Sequence, residues 1–365
     1  MSASSIHPAA LRCEYLSDPL GVDVPRPRLS WVLEGEARGA RQRAYRVVVS
    51  ADPPALGTMR GDTGRPPRER LVLWDSGRVE SAETAQVEYA GPDLPARSRC
   101  GWVVTVWDEA DRPATSAEAH WEVGLLTNEE WGPAAWIGLG NAGPFGAPLP
   151  TGGLKPRDAA SGGAADAERA ELTRVLAPVG EWRPSPYLRK AFEVKRAVSR
   201  ARVYATARGL YELRINGAQV GDARFAPGWT DYAKRIQYQT YDVTAALKTG
   251  PNVLAAVLAD GWYAGHLGFD PRWLASRYGQ RPSLLLRLEV TYDDGTRTVV
   301  VSDGSWTSAT GEVLFADMLM GEVRDRRCEP IGWDGPGFDD SGWEPAGRLS
   351  PPSAALVAQP TPPMR

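Results

Sequence analysis

The sequence has few residues whose types and spacing suit catalysis. Its histidines, His7, His120 and His266, have no serine, cysteine or second histidine at the spacing of a catalytic triad or a metal site. It has no phosphate-binding loop, and no GxGxxG motif follows a strand pattern. Asp293-Asp294-Gly295 lacks the further ligands of a calcium loop and is more typical of a hairpin turn. These residues predict no catalytic site, no metal ion and no cofactor.

Two acidic segments are the remaining candidates for acid–base chemistry. Asp339 and Asp340 are adjacent, so on a strand they would face opposite sides, and an exposed loop fits them better. Glu322 and Asp325 lie in Gly321-Glu-Val-Arg-Asp-Arg-Arg327, where the charges alternate in sign. Either carboxyl group could act as a catalytic acid, but the pattern favours an edge strand with solvated ion pairs.

The strongest signal for ligand binding is a set of aromatic residues in predicted loops. Trp229, Asp231 and Tyr232 lie in one glycine-containing segment, and Trp262 and Tyr263 lie in the next. A flat ring stacks on the apolar face of a pyranose, while carboxylates and amides bind its hydroxyl groups. These residues are therefore candidates for carbohydrate binding, and Trp273 is a further candidate after Trp229 and Trp262. Alternatively, the tryptophans close the ends of a β-sandwich and the glycines only permit tight turns.

Period-2 alternation dominates the elements that would position these residues and predicts an all-β fold. Over residues 1–127, six or seven short strands separated by turns predict an antiparallel sandwich of immunoglobulin or fibronectin type, most clearly at 42–50 and 100–107. Residues 139–183 are rich in Gly, Ala and Pro, which predicts a connector over 128–185 with a long loop and one weak helical window, 165–176.

A second, larger antiparallel sandwich of jelly-roll type is predicted over residues 186–348. Its strand Leu210–Ile215 runs into Asn216-Gly217, the signal of a type I′ hairpin. Val253–Leu258 is an apolar run of strand length, and Ser283–Tyr292 alternates before the turn at 293–295. The proline-rich residues 349–365 predict a linker toward a further domain that this chain lacks.

Length and composition limit the function classes. The chain has 365 residues, 42 of them basic and 45 acidic, and its formal charge of −3 argues against nucleic acid as a partner. No apolar run approaches the roughly 18 residues of a membrane span, and residues 1–7 have neither the basic nor the apolar part of a signal peptide. Cys13, Cys100 and Cys328 are widely spaced and predict isolated thiols. We therefore expect a cytoplasmic protein that binds no membrane.

Several motifs, taken in their order along the chain, resemble the N-terminal half of bacterial α-L-rhamnosidases. Those of the first domain are Leu11-Arg-Cys-Glu-Tyr-Leu16, Pro27-Arg-Leu-Ser-Trp31, Leu73-Trp-Asp-Ser-Gly77 and Trp131-Gly-Pro-Ala-Ala-Trp-Ile-Gly138. Those of the second are Leu210-Tyr-Glu-Leu-Arg-Ile-Asn-Gly217, Pro227-Gly-Trp-Thr-Asp-Tyr232, Tyr241-Asp-Val-Thr244, Gly261-Trp-Tyr263, Gly321-Glu322 and Gly332-Trp-Asp-Gly-Pro-Gly-Phe-Asp-Asp340. Several motifs in one order are more specific than any single motif, and they cover nearly the whole chain outside 139–183.

The resemblance implies a fibronectin type III-like domain followed by a rhamnosidase N-terminal β-sandwich. In that family a separate (α/α)6 barrel downstream releases terminal α-L-rhamnose with inversion, through a general acid and a general base. No catalytic residue of the family falls on this chain, and residues 139–183 are too short for the calcium-dependent rhamnose-binding module that some members carry there. The resemblance thus implies an ancillary region of a glycosidase, itself without turnover, which braces the barrel and contacts rhamnosylated glycans or glycosides.

Two other functions stay open at this point. An autonomous carbohydrate-binding module would use Trp229, Tyr232, Trp262 and Tyr263 as its platform, and rhamnose would change its tryptophan fluorescence saturably. A structural interaction protein would instead expose an apolar face and self-associate when isolated.

Overall fold

The computed structural model describes residues 4–35, 38–51, 71–140, 183–268 and 275–365. In these ranges nearly all regular structure is β-strand; the one α-helix is α1, Gly261–Ala264, and 3₁₀ turns occur at Asn128–Trp131, Thr244–Ala246 and Arg326–Cys328. The predicted all-β class is confirmed. Trp273 and most of the Gly/Ala/Pro-rich segment, including the helical window 165–176, lie outside the described residues.

The chain divides into two compact units, residues 1–131 with 357–363, and residues 132–356 with 364–365. The strands of the first are β1 His7–Cys13, β2 Arg28–Glu34, β3 Gln42–Ala51, β4 Leu71–Asp75, β5 Val87–Glu88, β6 Arg99–Asp108, β7 Pro113–Thr115 and β8 Ala119–Glu122. One of its sheets has the order β1-β2-β5, and the other has the order β4-β3-β6-β7 with β8 also paired to β6.

Alternate residues of β3 and β6 form the core of the first unit, as the sequence pattern predicts. The fully buried residues include Val47, Val49, Val104 and Val106. Trp102 and Trp121 are buried beside them, and the buried Trp31 donates from Nε1 to Gln42 Oε1 at 2.9 Å. These three tryptophans belong to the core and are withdrawn from solvent.

The strands from residue 132 onward build the second sandwich. They are β9 Trp136–Gly138, β10 Pro186–Val194, β11 Val198–Arg208, β12 Leu210–Ile215, β13 Ala218–Gln219, β14 Arg235–Asp242, β15 Gly250–Ala259, β16 Ser283–Tyr292, β17 Arg297–Val301, β18 Thr307–Thr310, β19 Val313–Asp317, β20 Gly321–Arg324, β21 Glu344–Pro345, β22 Gly347–Leu349 and β23 Ala355–Ala358. A six-stranded sheet has the order β13-β12-β15-β10-β18-β21, and the other large sheet has the order β22-β9-β16-β11-β14-β23 with β17 paired to β16. β19 and β20 form a separate hairpin.

The two predicted hairpins of this unit are confirmed. Asn216 and Gly217 connect β12 to β13 and have φ angles of 52° and 86°, both in the left-handed region that a type I′ turn requires. β16 and β17 pair across the turn at 293–295, and the Asp294 carboxylate accepts the Thr296 N–H at 2.9 Å. This aspartate therefore stabilises a turn, as the hairpin interpretation predicts.

The core of the second unit lies between its two large sheets. On β16, the alternating residues Leu284, Leu286, Leu288 and Val290 are at most 1% exposed. From the six-stranded sheet, β15 contributes Leu254, Ala256 and Leu258 to the same cluster. Burial of one face of each sheet is the main stabilising contribution to the unit.

The six-stranded sheet is also covered on its outer face. Tyr187, Val253 and Ala255 alternate with the inward residues and pack against Trp333. Arg189, 2% exposed on β10, donates to the Trp333 carbonyl at 2.8 Å and to Asp340 Oδ2 at 2.7 Å. Asp340 therefore lies in a loop, as expected, but this loop is fastened to the sheet by a buried arginine.

Within residues 349–365, for which the prolines predict a linker, Ala355 and Met364 make backbone hydrogen bonds inside the second unit. The N–H of Ala355 on β23 donates to the Lys234 carbonyl at 3.0 Å. The Met364 carbonyl accepts the Arg224 N–H at 2.8 Å. The segment thus adds backbone pairing that its proline content does not indicate.

Candidate functional site

Three aromatic side chains, Phe225, Trp229 and Trp262, form a cluster that we call the aromatic platform. The indole rings of Trp229 and Trp262 are parallel within 7°, with their centroids 6.0 Å apart. Phe225 packs edge-on against Trp262 at 6.2 Å. Because Trp229 is 54% exposed and Phe225 is 44% exposed, the platform presents aromatic surface to solvent. Such a surface can stack on a sugar ring.

Two glycines in the left-handed region of φ place the tryptophans. Gly228, with φ 93°, precedes Trp229, and Gly261, with φ 52°, begins α1 and precedes Trp262. A Cβ atom on Gly261 would lie 2.6 Å from Leu210 Cγ, closer than van der Waals contact allows. Any larger residue would therefore move either Leu210 or α1, and Trp262 with it.

Tyr232 and Tyr263 lie together beside the platform but differ from it in exposure. Tyr232 is 4% exposed and donates its hydroxyl to the Gly228 carbonyl at 3.1 Å. Its ring meets Tyr263 edge-on at 5.5 Å, and burial raises the pKa of the Tyr232 hydroxyl. Tyr232 is thus placed to hold the Gly228 turn, whereas the sequence pattern alone suggested that it faces a ligand.

Asp231 is exposed and takes part in the same turn. Its Oδ1 accepts the Ala233 N–H at 3.1 Å, and its Oδ2 lies 3.5 Å from Lys234 Nζ. The solvated Lys234 contact is of the kind that contributes little stability. The exposed carboxylate lies two residues from Trp229, where it can accept a hydroxyl hydrogen bond.

Arg208, which the sequence analysis missed, lies against Tyr263 from the sheet side. Its guanidinium carbon lies 5.9 Å from the Tyr263 ring centroid and 4.8 Å from that of Trp136, which are cation–π distances. Its Nε donates to Ser283 Oγ at 2.7 Å, and burial lowers the pKa of the guanidinium. A single arginine at the end of a β-strand pattern carries no sequence signal for this role.

Titratable groups surround the ends of α1. Asp317 Oδ2 accepts the His266 backbone N–H at 2.8 Å and lies 3.0 Å from His266 Nδ1. Burial acts to raise the pKa of Asp317, but hydrogen bonds from His266, Met320 and Leu319 outweigh it and lower that pKa. Burial raises the pKa of Asp260, the residue before α1, to about 6; Arg183 opposes the rise and Asp317 adds to it.

A cleft of about 680 Å³ opens on the outer side of the six-stranded sheet, and the sequence analysis did not foresee it. Its charged lining consists of two guanidinium groups and five carboxylates: Arg214, Arg324, Glu212, Glu312, Glu322, Glu329 and Asp334. Apolar surface from Leu210, Val257 and Phe225 also lines it. Because Phe225 contacts Trp262, the cleft and the aromatic platform share an edge.

The charged groups of the cleft form two arginine-centred sets. Arg214 donates from Nε to Asp334 at 2.5 Å, from Nη1 to Glu212 at 2.8 Å, and from Nη2 to the Gly217 carbonyl at 3.0 Å.

Arg324 donates from Nε to Glu322 at 2.5 Å and from Nη1 to Glu312 at 3.0 Å. Glu322, considered above as a catalytic acid, is therefore part of an ion pair on the β19–β20 hairpin. Asp325, the other candidate, pairs with Arg327 at 2.6 Å.

Neither a metal centre nor a membrane segment is seen in the part of the chain that the structure describes. There, no three or more His, Cys, Asp or Glu side chains are grouped so that they could hold a metal ion. No helix in those ranges has the length and apolar character needed to cross a membrane.

Two family models match the chain in sequence order. Residues 8–127 match the Rha78A-like, N-terminal immunoglobulin domain, and residues 196–365 match the alpha-L-rhamnosidase N-terminal domain. The first range falls in the first compact unit, and nearly all of the second falls in the other.

Curated relatives and solved structures agree with these models. An alpha-L-rhamnosidase of Streptomyces avermitilis is 33% identical over 90% of this chain and 43% of that protein, and one of Formosa agariphila is 32% identical over 91% and 31%. The structure of alpha-L-rhamnosidase from Dictyoglumus thermophilum has a TM-score of 0.77 at 32% identity, covering 99% of this chain and 36% of that one. The Streptomyces avermitilis enzyme, solved in complex with L-rhamnose, has a TM-score of 0.76 at 30% identity, covering 97% and 46%.

The fold and the two matched family models together show that this chain consists of N-terminal domains of the β-sandwich class. The chain carries N-terminal domains of the α-L-rhamnosidase family and corresponds to the N-terminal portion of its relatives. It spans about a third to two fifths of the length of the curated relatives it matches.

Proposed function

We propose that this chain is the ancillary β-region of an α-L-rhamnosidase, a glycoside hydrolase that releases terminal α-L-rhamnose with inversion. The observation that carries the proposal is the match of two separate rhamnosidase N-terminal models in one order. In this proposal the partner is a downstream (α/α)6 catalytic domain, which the sandwiches brace. The domain limits proposed are 1–127, 128–185, 186–348 and, for the linker toward that partner, 349–365.

The charged cleft supports a role without turnover for this chain. An inverting glycosidase needs a carboxylic acid at the leaving oxygen and a carboxylate that activates water, about 6.5–9.5 Å apart. All five cleft carboxylates are instead within ion-pair distance of an arginine. We expect no hydrolysis of an aryl α-L-rhamnoside by the isolated chain. Hydrolysis proportional to protein, and lost in the Glu322→Gln variant, would overturn this part of the proposal.

The reading frame downstream of Arg365 in the gene tests directly whether a catalytic domain follows. The proposal expects several hundred codons with the helical repeat pattern of a barrel. A stop codon at that position, or a continuation with β-strand periodicity, would contradict it.

The aromatic platform supports contact with rhamnosylated glycans or glycosides. Trp229 supplies the exposed ring and Asp231 an exposed carboxylate, while Tyr232, Tyr263 and the inner ring of Trp262 hold the arrangement. Calorimetric titration with L-rhamnose should show a saturable binding component that Trp229→Ala removes. Tyr278→Phe, which keeps the ring packed on Tyr232, is the matched control. Equal binding by the Trp229→Ala variant would remove the platform from the proposal.

We also propose that the protein acts in the reducing cytoplasm. Cys13 and Cys100 are buried free thiols, and burial raises the pKa of the Cys13 thiol well above its ordinary value, so it is a poor nucleophile there. Cell fractionation of the producing organism should place the protein with cytoplasmic markers, and its recovery from the medium would contradict this.

A further inference from the structure

We propose that the charged cleft is a binding site for a neutral saccharide, distinct from the exposed ring of Trp229 although Phe225 belongs to both the cleft and the aromatic platform. The cleft volume of about 680 Å³ lies within the usual range of roughly 300–1,000 Å³ for small-molecule sites. All of its lining residues belong to the second unit. The proposal depends on the proposed function only for rhamnose as the first sugar to test.

The hydrogen-bonding capacity of the lining selects the class of ligand. A guanidinium group has five N–H donors. Arg214 uses three of them, on Asp334, Glu212 and the Gly217 carbonyl, and two remain. Arg324 likewise makes three bonds, to Glu322 and Glu312. Each arginine can therefore donate to a ligand while its carboxylates accept from the same ligand.

A hydroxyl group both donates and accepts, so a polyol satisfies such a lining on both counts. The carboxylate group of an anionic sugar only accepts hydrogen bonds, and it would enter a lining in which five carboxylates outnumber two guanidinium groups. A polyamine only donates and leaves the free guanidinium N–H groups unpaired. The lining thus favours a neutral sugar over a uronic acid and over a polycation.

The position of the apolar surface fits the same ligand. Leu210 and Val257 are half-buried on adjacent strands, and Phe225 is 44% exposed. A pyranose has hydroxyl groups around its edge and C–H groups on its face, and a 6-deoxy sugar adds a methyl group. The arginine-centred sets would bind the hydroxyls, while the apolar residues would contact the C–H face.

The local folding explains why these polar groups face the cleft. Along β12, Tyr211, Leu213 and Ile215 enter the core, so Glu212 and Arg214 between them point outward. The β19–β20 hairpin carries Glu322 and Arg324 to the same cleft. The cleft is therefore made by strands whose inner residues are fixed by packing.

The test compares calorimetric titrations of the full chain with L-rhamnose, D-galactose, D-glucuronate and spermidine. The proposal expects saturable binding of at least one neutral sugar and at least about tenfold weaker binding by the Glu212→Gln/Glu322→Gln double variant, because each change removes charged acceptors. Glu193→Gln, which removes an exposed carboxylate on β10 outside the cleft, is the matched control and should bind as the unaltered chain does.

The Trp229→Ala variant distinguishes binding at the cleft from binding at the exposed ring of Trp229, since Trp229 does not line the cleft. Binding of D-galactose but not L-rhamnose would support the cleft and contradict the rhamnose specificity of the proposed function. Binding of spermidine or glucuronate alone, or binding of neutral sugars that the double variant leaves unchanged, would overturn the cleft proposal. Urea unfolding of each variant confirms that it is folded before titration.

Discussion

Trp229 lies in a loop and Trp262 lies on α1, yet their indole rings stack in parallel with their centroids 6.0 Å apart. The outer ring, that of Trp229, is 54% exposed, while the inner ring is held between Trp229 and the edge of Phe225. The same stack makes one ring available to a ligand and makes the other a packing residue. This division of roles has measurable consequences for stability.

Replacement of the inner ring should cost more stability than replacement of the outer ring. We expect Trp262→Ala to lower the free energy of unfolding by about 2–3 kcal/mol, since it removes the contacts of this ring with both Trp229 and Phe225. Trp229→Ala should cost less than about 1 kcal/mol because half of that ring is already in water. Urea unfolding followed by circular dichroism measures the two losses of stability. Each variant should also lose the exciton couplet that the stacked indoles give in the circular dichroism spectrum. Equal costs would contradict the arrangement.

Gly261 should tolerate alanine poorly for two reasons that a control can separate. Gly217 and Gly261 both have positive φ, but only at Gly261 does a Cβ atom meet another residue, Leu210 Cγ at 2.6 Å. Gly217→Ala should therefore cost about 1 kcal/mol from backbone strain alone. Gly261→Ala should cost about 1–3 kcal/mol more because Leu210 or α1 must move. Thermal unfolding with tryptophan fluorescence reports both effects, and equal costs would show that Leu210 yields freely.

Asp260 should make the stability of the protein depend on pH in the mildly acidic range. Burial raises the folded-state pKa of Asp260 to about 6 from its ordinary 3.8, although Arg183 and His266 oppose this rise and Asp317 adds to it. Its favourable contribution is therefore complete below pH 3.8 and is lost as the pH rises through about 6.

The neutral variant Asp260→Asn removes this dependence. We expect it to be more stable than the unaltered chain by about 2–3 kcal/mol at neutral pH and equal to it near pH 4, from the size of the shift. Urea unfolding at a series of pH values measures the difference. A difference that does not change with pH would mean that burial leaves this carboxyl unaffected.

Asp340 should matter more than its neighbour Asp339, although both are loop aspartates. Asp340 pairs with Arg189, which is 2% exposed, whereas Asp339 accepts hydrogen bonds from the backbone and the side chain of Ser341 in its own turn. We expect Asp340→Asn to lower the free energy of unfolding by about 1–3 kcal/mol, because the buried guanidinium keeps its carbonyl partners but loses its counter-charge. Asp339→Asn should leave the unfolding midpoint nearly unchanged. The reverse order in urea unfolding would contradict the role of Arg189.

The strand positions and hairpins could be predicted because they depend on local sequence. Alternation over Ser283–Tyr292 placed its leucines in the core, and Asn216-Gly217 predicted a turn that needs positive φ at both residues. The motif order also indicated the family, since each motif is a short run of residues. The grouping of the aromatic segments at 227–232 and 261–266 was predicted as a candidate site, and the structure brings their tryptophans into contact.

Other features depend on which strands become neighbours, and a single sequence does not state that. Tyr232 was a candidate surface residue, yet it is buried, because Tyr263 and Tyr278 pack on it from another segment. From the sequence, Arg189 is only one arginine in a predicted strand. In the structure the loop at 333–340 covers it and accepts its hydrogen bonds.

The sequence by itself determined the two sandwiches, their alternating cores and the family to which they belong. Only the tertiary structure decided that Trp229 is the exposed ring and that Glu212, Arg214 and Arg324 line one cleft. The physical reason is range: burial along a strand follows from a period of two residues. A binding surface instead requires strands far apart in sequence to lie side by side, and that arrangement is set by packing of the whole unit.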